Sequence, residues 1–203
     1  MTRAAVNEER REQIMLGLLE VMARHGYDGA STKAIAAAAG LGAGLVHYHF
    51  KSKQEILLGL VDLLTARLEQ RVARFDLAAT TPRQRLDAFL DAHLALGDDA
   101  DPAAVACWVT IGAEALRQPE VAQLYRGAIQ RDLTHLRLRV AAVFRDRGAE
   151  ETSADEIAAA LMAATLGTMQ LALAAGAAPK GFAATGVKRM ATGLLTTVER
   201  RDA

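Results

Sequence analysis

The 203-residue chain is short of several features that usually announce a function. It holds one cysteine, Cys107, which excludes an intrachain disulfide framework and a zinc site built on cysteines. A lone thiol fits a reducing cytoplasm. Charge of one sign is also lacking: Lys+Arg and Asp+Glu number 24 each, a formal net charge of +0. Any contact with nucleic acid must therefore come from a local patch, not from a field over the whole chain. Aromatic residues are 4% of the chain, too sparse for a cage of rings around a quaternary ammonium. No stretch alternates Val, Ile or Thr with polar residues over a strand length, so no β-sheet is expected.

Catalytic patterns are missing as well. There is no phosphate loop, no Gly-x-Ser-x-Gly and no Glu-x-x-His pair for a two-metal bundle. His47 and His49 lie two apart, about 200° around a helix, and cannot share one metal. Neither an enzyme nor a bound cofactor or metal is expected. The opening MTRAAVNEERREQIM is charged and has no apolar h-region, so no secretory signal is expected and a cytoplasmic location is the expectation. Residues 157–178 are nearly free of charge and about as long as a bilayer span. They are mostly Ala, however, interrupted by Thr165, Gly167, Thr168, Gln170 and Gly176, without flanking basic or aromatic belts. A helix buried on most sides is the better reading.

Half of the chain is apolar (51%), enough for a packed core, and its periodicity is helical nearly throughout. The 4 prolines punctuate it. Thr81-Pro82, Asp101-Pro102 and Gln118-Pro119 each place Pro where a periodic run begins, a position where its missing N–H costs nothing. The spacing predicts a first helix over 7–24, stopped by His25-Gly26, then short helices over 32–39 and 43–50 around Gly40-Leu41-Gly42. Ser52 and Glu55 form a capping box for a helix reaching Phe75. Further helices are expected at 82–97, 102–117, 119–147, 153–176 and 184–200, about nine in all. The expected organisation is a small N-terminal domain, 1–53, and a larger helical domain, 54–203.

The stretch STKAIAAAAGLGAGLVHYHFKSKQEI, residues 31–56, carries the chemistry. It reads as helix, tight glycine turn, helix. Ala36 and Ala39 are small enough for helices to cross closely, Gly40 supplies a positive φ, and Ile35, Leu41 and Val46 are spaced to pack on the first helix. That is the geometry that sends a second helix into a DNA major groove. His47, Tyr48 and His49 crowd three rings onto the end of a very short helix, more than packing needs. Lys51 and Lys53 flank the next helix N-terminus, where backbone N–H groups and Ser52 suit a phosphate. An ordinary helical hairpin is the competing reading. The local charge is thin: residues 1–55 hold seven basic side chains (Arg3, Arg10, Arg11, Arg24, Lys33, Lys51, Lys53) against six acidic ones.

Taken together, Ser31-Thr32, Ile35-Ala36, Ala39-Gly40-Leu41, Tyr48-His49-Phe50 and Lys53 with Glu55-Ile56-Leu57 resemble the TetR family of bacterial transcriptional regulators. The resemblance spans 7–75. It implies an all-α fold, with an N-terminal three-helix helix-turn-helix domain followed by a helical ligand-binding and dimerisation domain. It places Thr32 and Lys33 at the DNA backbone, with Lys33 also in reach of a base, Ala43, Gly44 and Leu45 at the start of the recognition helix, His47, Tyr48 and His49 on its exposed face, and Lys53 on a phosphate. Ala43 and Leu45 stand where many members have a polar residue. They can meet a thymine methyl but cannot hydrogen-bond a base, so part of the preference would come from DNA shape.

Residues 107–125, CWVTIGAEALRQPEVAQLY, resemble the C-terminal domain of the BetI-like branch. That implies a homodimer through the last two helices and a small-molecule pocket. Leu161, Thr165, Thr168 and Leu171 on one helix, with Met190, Leu194 and Val198 on the next, are the expected interface. Phe89, His93, Trp108, Glu114, Tyr125, Met162, Met169 and Gln170 are the candidate pocket lining; each also suits plain core. An apolar or amphipathic effector fits such a lining. The expected function is a ligand-responsive homodimeric regulator, a repressor released from a palindromic operator by a small molecule. The alternatives are a DNA-silent protein acting through protein contacts, as an anti-repressor, or a redox sensor using Cys107.

Overall fold

A computed structural model describes residues 2–94, 101–172, 179 and 181–199, and among the described residues all regular structure is helical, α apart from a π-helical pair at 171–172. The helices are α1 (Arg3–His25), α2 (Thr32–Ala38), α3 (Ala43–His49), α4 (Lys53–Asp76), α5 (Pro82–Leu94), α6 (Pro102–Glu114), α7 (Pro119–Asp146), α8 (Ala154–Gln170) and α9 (Phe182–Glu199). Their starts follow the predicted caps. Asp101 Oδ1 accepts from the amides of Ala103 and Ala104 at 3.0 Å, just before Pro102. Thr81 Oγ1 accepts from Gln84 N at 3.2 Å. α1 ends at Gly26, with φ +69°.

The differences lie at the ends. α1 begins at Arg3, because Thr2 Oγ1 already caps it by accepting from Ala5 N at 3.3 Å. α5 and α8 end at Leu94 and Gln170; the expected extensions to 97 and 176 run into residues outside the described ones, as does most of the loop expected after α8. The capping box before α4 is displaced. Ser52 Oγ accepts from Glu55 N at 3.1 Å as expected, but the Glu55 carboxylate accepts from Lys51 N at 2.7 Å, one residue earlier than a capping box requires.

The chain packs as two units. The first takes the described residues up to Ala66 and adds Asp101–Gly127; the second takes the remainder. A division after residue 53 puts α6 and the start of α7 with the second part, whereas by packing they belong with α1–α3. In the first unit, α1 packs on α2, α3 and α6. Its core joins Ile14, Leu18 and Met22 of α1 to Ile35, Val46, Phe50, Leu57, Leu60, Cys107 and Ile111. Gly17 makes the α1–α2 crossing possible: a Cβ there would stand 2.7 Å from the Ile35 carbonyl oxygen and 3.0 Å from Ala39 Cβ. In the second unit, α5, α8 and α9 pack on one another. They enclose Leu86, Phe89, Leu90, Leu136, Phe144, Leu161, Val187 and Leu195.

Candidate nucleic-acid interface

The interface is built around the turn between α2 and α3. Ser31 Oγ accepts from Ala34 N at 3.1 Å and starts α2. Gly40 turns the chain with φ +66°, and Leu41 N donates to the Ala36 carbonyl at 2.9 Å to close the turn. α3 then runs for only two turns. Val46 is its one buried residue, and Phe50, 2% exposed, pins the chain just beyond it. Because Val46 alone faces the core, Ala43, Gly44, Leu45, His47 and Tyr48 all face outward. Tyr48 is 73% exposed, far beyond what a folded aromatic side chain needs. His49 is half-buried and meets the Tyr48 ring edge-on, with centroids 5.0 Å apart. At the start of α2, Lys33 is exposed and Thr32 half-buried. The structure thus brings the expected contact residues together around one short helix. Gly42 leaves that helix without a side-chain cap.

Two cations beside this element make contacts that the sequence did not disclose. Arg11 Nη1 donates to the His49 carbonyl at 2.6 Å while its guanidinium carbon lies 4.1 Å from the Phe50 ring centroid. Lys53 Nζ donates to the Tyr27 carbonyl at 2.9 Å and lies 4.2 Å from the centroid of the Tyr27 ring. Lys53 is half-buried, so the structure draws toward Tyr27 a side chain expected at a phosphate. Tyr27 is itself tied to the corner between α6 and α7. Its hydroxyl hydrogen-bonds Gln118, and Gln118 Nε2 donates to the buried Glu114 carboxylate at 2.9 Å. Burial raises the Tyr27 pKa above the usual tyrosine value; the Gln118 bond opposes this, and the charges of Glu114 and Asp28 add to it. Sequence reasoning missed Tyr27 altogether, because its partners lie far along the chain, at Gln118 and Glu114.

The candidate effector residues divide between the units. In the first, the Trp108 and Tyr125 rings lie 5.2 Å apart, and the Tyr125 hydroxyl stands 3.2 Å from where a Cβ on Gly112 would be. Glu114 is satisfied by Gln118 as above. In the second, Phe89 and Met162 are buried core, Met169 is half-buried and Gln170 is exposed. The His93 side chain is buried; Nδ1 donates to the Phe89 carbonyl at 2.8 Å and Nε2 lies 3.6 Å from an Asp132 oxygen.

The expected interface residues also part company. Leu161 and Thr165 are buried inside their own unit, and Thr165 Oγ1 donates to the Leu161 carbonyl at 2.8 Å. Neither can meet a partner. The apolar stripe of α8 that looked like an interface is the face that docks on α5 and α9; its outward face is Ala159, Ala160, Ala163 and Gly167. Thr168 and Leu194 are half-buried, while Leu171 and Met190 are exposed. The Val198 side chain is outside the described ones. Cys107 is fully buried, and burial, with a smaller contribution from the Asp101 charge, pushes its thiol up to about 12.

A two-turn helix held on a glycine turn, with its ring side chains outward and basic residues beside it, defines a helix-turn-helix DNA-binding protein. Residues 14–60 match the tetR family of bacterial regulatory proteins, and residues 82–198 match the C-terminal part of BetI-type transcriptional repressors. The chain belongs to the TetR family, with a C-terminal part of the BetI type. It is 31% identical to the HTH-type transcriptional regulator BetI of Stenotrophomonas maltophilia, over 67% of this chain and 69% of that one. Identity to the BetI of Rhizobium meliloti is 29%, over 61% of each. Among solved structures, a transcriptional regulator of Pseudomonas aeruginosa superposes with a TM-score of 0.79 at 22% identity, covering 96% of this chain and 94% of that chain. A regulator of Saccharomonospora viridis, solved in complex with choline, superposes at 0.78 with 22% identity, covering 93% and 96%. Among the described residues no helix is long and apolar enough to cross a membrane.

Proposed function

We propose that this protein is a repressor that binds a palindromic operator as a homodimer and is released by a small molecule. The observation that carries the reading is the exposure of Tyr48 and His47 on a helix whose only buried side chain is Val46. Thr32, Lys33, Ala43, Gly44, Leu45, His47, Tyr48 and His49 meet the DNA in this reading. Lys53 meets a phosphate with the side of its ammonium turned away from Tyr27. Two protomers place their α3 helices in major-groove faces about 34 Å apart, or a multiple of that, so the operator is an inverted repeat.

The dimer forms through the outward faces of α8 and α9. Small side chains there (Ala163, Gly167, Gly193) allow helices to approach closely, with Leu171 and Met190 at its margin. The division of the protein is then a reading head comprising α1–α3 and the start of α4, and a helical body that binds the effector. The effector differs from a quaternary ammonium: an Ala-, Leu- and Met-rich body with few rings suits an apolar or amphipathic molecule. It acts by favouring a state whose reading heads are wrongly spaced, with a coupling of about 1–3 kcal/mol. A redox role for Cys107 finds no support in a thiol so well buried.

Selection of bound duplexes from a randomised pool tests this. An enriched inverted repeat, bound by two chains, is expected. A folded protein that enriches nothing would overturn it.

A further inference from the structure

We propose that Arg11 is a positioning residue for the reading helix: it sets how α3 lies in the groove without itself touching DNA. α3 has seven residues, no side-chain cap at its start and one buried side chain. A helix of that length has no stability of its own, and its orientation must be imposed from outside. The carbonyls of a helix's last turn lack partners within the helix, and the dipole favours a cation there. Arg11 meets both needs. It donates to the carbonyl of His49, the last residue of α3, and its guanidinium covers the ring of Phe50, the residue that anchors the helix end. The bond is charge-assisted and short, and the side chain is half-buried. Arg11 sits on α1, the helix that carries the core under α2 and α3, so it ties the reading helix to the most firmly packed element of its unit.

The consequence is an effect on specificity that a phosphate contact would not have. A phosphate contact strengthens binding to every sequence and steepens the salt dependence. A brace on α3 leaves that term alone and governs how His47 and Tyr48 meet base edges.

The inference rests on α3 reading DNA. The test uses the full chain and two duplexes: the inverted repeat it selects from a random pool, and a scrambled duplex of equal length and composition, each titrated at several KCl concentrations. Arg11→Gln is expected to lose about tenfold on the selected repeat, to stay within about twofold on the scrambled one, and to keep the slope of log K against log salt on both. Arg11→Lys keeps a donor and a cation over the ring and is expected to recover to within about threefold of the parent. A parallel loss on both duplexes with a slope flatter by about 0.9 would make Arg11 a phosphate contact and overturn the proposal, as would no change on either. If Arg11→Gln does not fold, the Arg11 guanidinium nitrogen resonance of the parent protein decides. It is expected to hold its position when the repeat is added, and a shift would overturn the proposal. A parent protein that selects no sequence sinks the reading of α3 itself; a selective parent with an unchanged Arg11→Gln sinks only this inference.

Discussion

Two residues of the reading head differ in what surrounds them, and this separates their effects. Tyr48 is held by one edge contact with His49 and is otherwise open. Tyr48→Ala is expected to leave folding intact and to change which sequences bind, by about 1–3 kcal/mol at the affected positions, as read by repeating the selection. Lys53 is tied to Tyr27 by both its carbonyl and its ring. Lys53→Ala is expected to weaken binding to all DNA and to flatten the salt slope by about 0.9; titration of the scrambled duplex measures both. Proton binding offers a second residue-scale test. Cys107, Tyr27 and Tyr125 all have raised pKa values, the thiol reaching about 12, mainly through burial. Each binds its proton more tightly folded than unfolded. The native state therefore keeps its full stability below the unfolded values, near 9 for the thiol, and loses it as pH rises from there toward 12. Melting curves from pH 8 to 11 should show that fall, and a thiol reagent at pH 8 should leave folded Cys107 unmodified.

At the scale of elements, the helices were legible because their caps are local chemistry. Asp101-Pro102, Thr81 and Gly26 act through bonds spanning two to four residues, and a sequence displays such neighbours directly. Crossings were less legible. Ala36 and Ala39 were recognisable as small residues at a crossing, but Gly17, which meets Ala39 there, sat unremarked inside an apolar stripe. Its demand for space comes from the Ile35 carbonyl on another helix. Gly17→Ala should thus destabilise the reading head by about 1–3 kcal/mol even though Ala is the better helix former. Chemical denaturation measures this, and a stabilised variant would contradict the crossing geometry.

At the scale of the molecule, the question is which face of each helix is spent on the fold. α8 is apolar on one side and small on the other. Its Leu161 side goes to α5 and α9, leaving Ala163 and Gly167 outward. The two sides should answer differently to mutation. Leu161→Ala should cost about 2–5 kcal/mol of stability with no specific effect on assembly. Ala163→Arg should keep the melting temperature close to the parent's, shift sedimentation from dimer to monomer and weaken operator binding with it. A dimeric Ala163→Arg would place the interface elsewhere.

The amino-acid sequence by itself determined the all-helical class and the helix-turn-helix at 31–56, and its motifs carried the resemblance to the family that the comparisons bear out. The first two rest on period, capping and spacing, which are properties of neighbours along the chain. Only the tertiary structure decided that α6 packs with the reading head, that Leu161 and Thr165 are core, that Arg11 holds the end of α3 and that Lys53 is drawn onto Tyr27. In each case the deciding contact joins residues far apart in sequence: Arg11 with His49, Tyr27 with Gln118, Gly17 with Ile35. A charge, a ring or a glycine looks the same in sequence whatever it will face, and its role is fixed only when folding brings its partner to it.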